Sequence, residues 1–417
     1  MSNFLKGYRV LDLTEDGAMF CGRILGDLGA DVIKIEPPGG ASSRNLGPFY
    51  HGIPNPEKSL FWFSYNYNKR GITLNLNAQD GRELFKDLIN NANFVIESFE
   101  PGYLNSLGLG YKDLSQLNPG LVMVSITGFG QTGPYSTYKA PDLVAMAMGG
   151  FSYTTGDPDR PPLTISFHHQ AALHAAGDGA VGALLAHYHR ETSGEGQHVD
   201  ISAQESVVGT LMGPATHWDF IKFNQPRRGA VMVSPRTGVV STQIWPCKNG
   251  YVNFELRFAA FTGKGLQALF DWMAEENMFS PGLGGISAAR DDVDVDSMSQ
   301  ETLDQLSSGI GDFFLAHTKQ ELYAGARERN FMLFPVNTVA EYFNSPQADA
   351  RSFFTPVEHP ELKATFSYPG PFANITPETI EIKNRAPLIG EHNQEIYEGE
   401  LGISTNDLVL LKQGQVI

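Results

Sequence analysis

The first stretch of this chain places an apolar run, a helix-length segment and a second apolar run close together. Val10–Leu13 is short and apolar, Phe20–Leu28 has helical spacing, and Val32–Ile35 is apolar again. Strand, helix and strand within about thirty residues is the size of a βαβ unit. The alternation continues with a strand at Ile72–Leu76 and a helix over Asp80–Asn91, in which Leu84, Phe85, Leu88 and Ile89 share a face. Further strands are expected at Phe94–Ile96 and Leu121–Ile126. Parallel strands need long crossovers, and helices supply them. The pattern therefore predicts an α/β fold whose parallel sheet is covered on both faces.

Past this region, Ala171–Tyr188 reads as a helix rich in Ala and Gly, which allows a neighbouring backbone to come close. The character changes after about Asn224. Ser241–Trp245 and Tyr251–Leu256 read as antiparallel strands around a turn at Lys248-Asn249-Gly250, and helices follow near Phe261–Ala274 and Glu301–Ala316. From about Phe334 the chain is extended and loop-rich. The expected organisation is a large α/β domain from 1–224 together with 334–417, and a smaller α+β domain over 225–333. A chain of 417 residues has room for both.

Composition narrows the function. A formal charge of −16 argues against nucleic-acid binding, which needs basic surface. Two cysteines, Cys21 and Cys247, make neither a metal spacing nor a disulfide framework. No apolar run approaches the ~20 residues of a membrane helix, and the N-terminus lacks the order of a signal peptide. A cytoplasmic protein without membrane or nucleic-acid partners is expected.

Several local patterns have competing readings. Gly128-Phe129-Gly130-Gln131-Thr132-Gly133 spells a dinucleotide fingerprint, but Pro134 follows at once and no helix opens there. It reads instead as a glycine loop whose main chain can approach a ligand or a facing subunit. His168, His169 and His174 cluster without the convergent geometry that zinc requires, so no metal is expected. Asp291–Asp296 is acidic but lacks the spacing of a calcium loop. Arg44, Lys69 and Arg70 are either surface cations or cations for the phosphates of a nucleotide-like ligand.

Taken in order, Val10–Thr14, Leu28–Glu36, Asn68–Leu76, Phe99 with Pro101-Gly102 and Leu107-Gly108, Gly128–Pro134, His189–Asp200 and Trp245–Val252 make the chain resemble the class III (formyl-CoA transferase-like, CaiB/BaiF) coenzyme A transferases. The resemblance implies a Rossmann-like large domain, a small middle domain and two chains interlocked as rings. It also implies transfer of CoA from an acyl-CoA to a carboxylic acid through an aspartyl nucleophile, with the amides of the Gly128, Gly130, Gln131 and Gly133 loop stabilising oxyanions. By the same resemblance Arg44, Lys69, Arg70 and Phe99 lie near coenzyme A, which is a substrate and not a tightly bound cofactor.

The chain departs from the family pattern where the chemistry sits. Counting back without a gap from His189–Gln197, the nucleophile position falls on Ala172, between Ala171 and Leu173. Asp178 is the nearest downstream acid. Six residues along a helix place it about 9 Å away and about 240° around. Gly-His-Asp becomes Ala140-Pro141-Asp142, which removes the histidine a racemase would use. The family's Ala-Gly-Pro becomes Ala18-Met19-Phe20, and an arginine after the Pro-Gly turn becomes Asn105-Ser106. These substitutions predict a catalytically silent subunit whose paralogous partner carries the aspartate. An active transferase with a displaced carboxylate such as Asp178 is the alternative. A racemase acting on acyl-CoA, or a binding or regulatory homologue, are further ones.

Overall fold

The computed structural model describes residues 4–165, 169–234, 236–256, 263–279, 295–376 and 379–417. The chain divides into two compact units. The first comprises Met1–Ser152, Thr164–Asn224 and Asp349–Ile417, and the second Tyr153–Leu163 and Gln225–Ala348.

The first unit is built on strands β1 (Arg9–Leu13), β2 (Asp31–Glu36), β3 (Lys69–Thr73), β4 (Phe94–Glu97), β5 (Val122–Thr127) and β6 (His198–Ser202). All five pairings between them are parallel, in the order β3-β2-β1-β4-β5-β6. That is the doubly wound order, in which the chain reverses direction across the sheet between β1 and β4. Interleaved helices are α1 (Met19–Asp27), α2 (Leu60–Asn66), α3 (Gln79–Ile89), α4 (Tyr103–Ser106), α5 (Tyr111–Leu117), α6 (Asp142–Met148) and α7 (Gln170–Ser193), followed by α8 (Ala203–Gly209) and α9 (Met212–Ile221).

Each face of the sheet has its own core. Val10, Val32, Phe94, Ile96, Val122, Val124 and Ile126 pack with α1 and α7. Leu11, Ile33, Val95 and Met123 pack with Phe85, Leu88 and Ile89 of α3. Strands buried on both sides lose the polar–apolar alternation of a half-exposed sheet. On α7 the buried side is Ala171, Ala175, Ala176, Gly179, Ala180, Ala183 and Ala186. A Cβ on Gly179 would stand 3.0 Å from Ile126 Cδ1, so small residues on this stripe let the helix sit close against β5. The opposite side of α7 exposes Val181, Leu185 and Tyr188.

A buried ion cluster fixes the corner after β1. Asp12 is fully buried, and its carboxylate receives Lys69 Nζ at 2.7 Å and lies 3.5 Å from Lys34 Nζ. The Thr14 amide and hydroxyl donate to the same carboxylate at 2.9 and 2.6 Å. Lys69 also donates to the Met19 carbonyl and to Asn66 Oδ1, and Lys34 to the Thr14 carbonyl. β1, β2, β3, α1 and α2 therefore meet on one carboxylate. Burial alone would raise the Asp12 pKa, but the two lysines more than offset it and hold it below the ordinary value. Burial brings the Lys69 ammonium down to about 8.

In the second unit β9 (Ile244–Cys247) and β10 (Gly250–Asn253), preceded by the short pair β7 (Val231–Val233) and β8 (Val240–Thr242), form the expected antiparallel turn. β11 (Phe334–Val336) adds to β10. Trp245, Phe254, Leu269, Trp272, Phe313 and Phe314 make the core of this unit. Part of the acidic run, 291–294, lies outside the described residues, as does His168. No helix among the described residues is long and apolar enough to cross a membrane.

Replacing Lys69 with Met removes the shorter of the two ion pairs on the buried Asp12 carboxylate and leaves only Lys34, at 3.5 Å. The expected loss is about 3 kcal/mol of unfolding free energy, read by urea denaturation. Asp12→Asn alone should cost more, because it leaves Lys34 and Lys69 both buried without a counter-charge.

Candidate active site

Open α/β sheets bind ligands beyond the carboxyl ends of the strands, where the strand order reverses. Here that place lies past β1 and β4. Glu15 and Asp16 follow β1, Ser98 follows β4, and the Glu15 amide donates to Ser98 Oγ at 2.9 Å, closing the crevice floor. A cavity of about 450 Å³ opens there. Glu15, Asp16, Ser98, Gly128, Asp142, His169 and Ala172 are among its lining residues.

The start of α7 forms one wall. His169, its N-cap residue, is left-handed with φ 68°, and its ring lies 4.9 Å from Phe61. It offers no side-chain cap to the helix. Asp142, the first residue of α6, supplies one from a distant segment, accepting the Ala171 amide at 2.8 Å. A carboxylate there compensates both an orphan N–H and the positive end of the helix. Ala172 follows immediately and presents a methyl group to the cavity. Gly17 packs against it, since a Cβ at residue 17 would stand 2.9 Å from Ala172 Cβ.

The expected site residues divide into those that reach the cavity and those that do not. Ala172 and Gly128 line it. Asp178 is exposed on α7 and is absent from the lining, as its turn around the helix dictates. The carboxylates that do line the cavity are Glu15, Asp16 and Asp142. The contact that Asp142 makes with α7 spans 29 residues of sequence.

The cations expected near phosphates are spent within the chain. Arg44 is fully buried and makes a two-pronged contact with Glu36, with further bonds to Glu57 and the Pro387 carbonyl. It also lies over the Trp62 ring at 3.8 Å, which organises the 37–56 loop. Lys69 belongs to the Asp12 cluster. Arg70 pairs with Asp31, Glu395 and Glu400, fastening the C-terminal segment to the sheet. These three are structural cations. Phe99 meets Tyr103 in a tilted ring contact at 4.8 Å, beside the second core.

The glycine loop is also anchored in an unexpected way. Gly130 and Gly133 adopt φ of 83° and 93°. The Gln131 amide donates to both oxygens of Asp200 at 3.0 Å, and the Gly128 carbonyl accepts from the Gln204 amide at 3.0 Å. Only Gly128 of the four expected loop residues lines the cavity. Gln131 lines a second one of about 390 Å³, together with Glu97, Tyr111, Ser125 and His198. In it Ser125 Oγ lies 2.9 Å from His198 Nε2, and the Phe99 amide donates to Glu97. Burial, aided by the charge of Asp200, pushes the Glu97 carboxyl up to about 7, while burial holds the His198 pKa below the usual histidine range.

A family model described as CoA-transferase family III matches residues 5–393. The chain belongs to this family. It is 31% identical over 403 residues to the succinyl-CoA:(R)-benzylsuccinate CoA-transferase subunit BbsE of Thauera aromatica, covering 95% of this chain and 94% of that one. It is 32% identical over 422 residues to the succinyl-CoA–D-citramalate CoA-transferase of Chloroflexus aurantiacus, covering 99% and 98%. Among solved structures, a CaiB/BaiF family protein from Brucella suis superposes with a TM-score of 0.81 at 26% identity, covering 96% of this chain and all of that one. CoA-transferases use CoA thioesters as substrates, and the α/β fold expected from the strand–helix alternation is the one this chain adopts.

The Glu97 shift has a measurable consequence. The native chain keeps a proton on Glu97 up to about pH 7, whereas an unfolded glutamate releases it near 4.5. Between these values the native state binds more protons, so stability falls as pH rises, by up to roughly 3 kcal/mol above pH 7. Glu97→Gln should flatten that part of the stability–pH curve. Asp27, raised by burial to about 6, tilts both curves alike, so the difference between the two proteins isolates Glu97.

Proposed function

We propose that this chain is a catalytically silent, cytoplasmic subunit of a class III CoA-transferase, and that the acyl-accepting aspartate belongs to a paralogous partner. The complex would move CoA from an acyl-CoA, succinyl-CoA by analogy with the relatives, to a carboxylic acid of the benzylsuccinate kind. The observation that carries this reading is the methyl group of Ala172 at the head of α7. CoA transfer proceeds by attack of an enzyme carboxylate oxygen on the thioester carbon, giving a mixed anhydride and free thiolate. The thiolate then attacks the enzyme acyl carbon and expels the donor carboxylate. The acceptor carboxylate repeats the exchange in reverse, taking the thiolate and freeing the enzyme carboxylate. A methyl group can do none of these steps.

A partner is supported by the surface of the first unit. None of the residues of α9 is buried, although Met212, Trp218, Phe220 and Ile221 are large and apolar. With Val181, Leu185 and Tyr188 of α7 they make more exposed apolar surface than a lone subunit ordinarily keeps in water. The interlocked arrangement of this family would cover them, and the relative named as a subunit fits the same reading.

A second reading rests on the three carboxylates of the cavity. Glu15, Asp16 or Asp142 in place of Asp178 would make the chain an active transferase with a displaced nucleophile. A binding or regulatory homologue is the reading left if neither transfer nor a partner is found.

Co-expression with a paralogue bearing the aspartate should give CoA transfer, and the isolated chain should give none. Robust transfer by the isolated chain sinks the silent-subunit reading. A variant with Ala172→Asp, incubated with acyl-CoA and hydroxylamine, should gain a hydroxamate at residue 172 in peptide mass spectra. The unaltered chain should be unmodified; a hydroxamate on residue 15, 16 or 142 would favour the displaced carboxylate.

A further inference from the structure

The glycine loop lies against the sheet edge formed by β6. We propose that Asp200 is the positioning residue of this loop, holding it through the Gln131 amide and so setting where Gly128 meets the cavity at Ala172. Both carboxylate oxygens accept that one amide, a charge-assisted contact stronger than a neutral one. Gly130 turns left-handed directly over the carboxylate, where a side chain would stand 3.7 Å from both oxygens. At the other end of the loop the Gly128 carbonyl is held by the first turn of α8. The loop is thus pinned at two points by one strand–helix connection. The wall that Gly128 presents to the 450 Å³ cavity follows from where Asp200 sits in the register of β6, opposite Ser125 of β5.

The role assigns a division of labour within the loop. Gln131 is committed to Asp200 and lines the 390 Å³ cavity, so within the loop only Gly128 borders the cavity at Ala172. The same carboxylate is one of the charges that hold the proton on Glu97. Asp200 therefore links the loop to the Glu97, Ser125 and His198 group across the sheet. Lys112, Glu100 and Asp113 also face that group, and Tyr111 stacks on His198. The proposal rests on reading the cavity as the thioester site only for its kinetic part.

Hydrogen–deuterium exchange on the full chain tests the pin directly. Asp200→Ala should speed exchange of the segment 128–133 by about tenfold or more, with strand Phe94–Glu97 unchanged. If that variant does not fold, Asp200→Asn, which keeps the shape and one acceptor oxygen, should give a rise of about threefold. Unchanged loop exchange, or an equal rise throughout the sheet, overturns the proposal. A readout that lost packing would not move is the titration of Glu97 followed by carboxyl NMR. Its midpoint should fall in Asp200→Asn, and an unmoved midpoint overturns the electrostatic link. In a transfer-competent complex, Asp200→Asn in this chain should raise KM for the acyl-CoA with kcat within about threefold. A loop that loosens while KM stays fixed overturns the positioning role. The exchange and titration arms use this chain alone, so they stand or fall apart from the silent-subunit reading.

Discussion

The carboxylate of Asp12 holds the site in place. It sits near the end of β1, and two lysines converge on it, Lys34 from the adjacent β2 and Lys69 from β3 beyond it. A buried ion pair is poor stabilisation by itself, because desolvation consumes most of the Coulombic gain. It does determine direction. Each ammonium proton needs an acceptor, and the acceptors available are the Thr14 and Met19 carbonyls and Asn66. The turn between β1 and α1 therefore has one low-energy path. Glu15, Asp16 and Gly17 lie on that path, and they shape the crevice where the strand order reverses. A cluster that adds little net stability thus fixes the geometry on which the cavity rests.

Around that crevice the polar groups fall into two functions. Asp142, Asp200 and Arg44 hold backbone in place: a helix start, a glycine loop and a long loop. The groups left facing the cavity are acidic or small. A lining with three carboxylates and no lysine or arginine disfavours a free carboxylate and tolerates a neutral chain bearing amides. That balance agrees with a subunit that shapes a thioester site without attacking the thioester.

The elements of the sheet were legible because strands buried on both faces leave continuous apolar runs, and Val10–Leu13, Val32–Ile35 and Phe94–Ile96 are such runs. β3 begins three residues before the expected Ile72, at Lys69, because two cations look like loop until their partners are known. Lys69 meets Asp12 at a separation of 57 residues and Arg70 meets Glu395 at 325. Local pattern holds no trace of either contact. The partners of Arg44 were hidden in the same way, although Glu36 lies only eight residues away. The helix from Gln170 to Ser193 runs without a break, so the count back from its end that reaches Ala172 crosses no loop. The anchoring of Gln131 was not legible, since Asp200 reaches it only after β6 has joined the sheet.

Asp142 has one further implication. It, and not the side chain at 172, satisfies the opening amide of α7. The residue that would carry the chemistry therefore has no structural duty to perform. Evolution can delete or restore a reactive group at that spot without disturbing the scaffold. A lineage of duplicated genes could in this way drift between working and supporting members while each continued to fold.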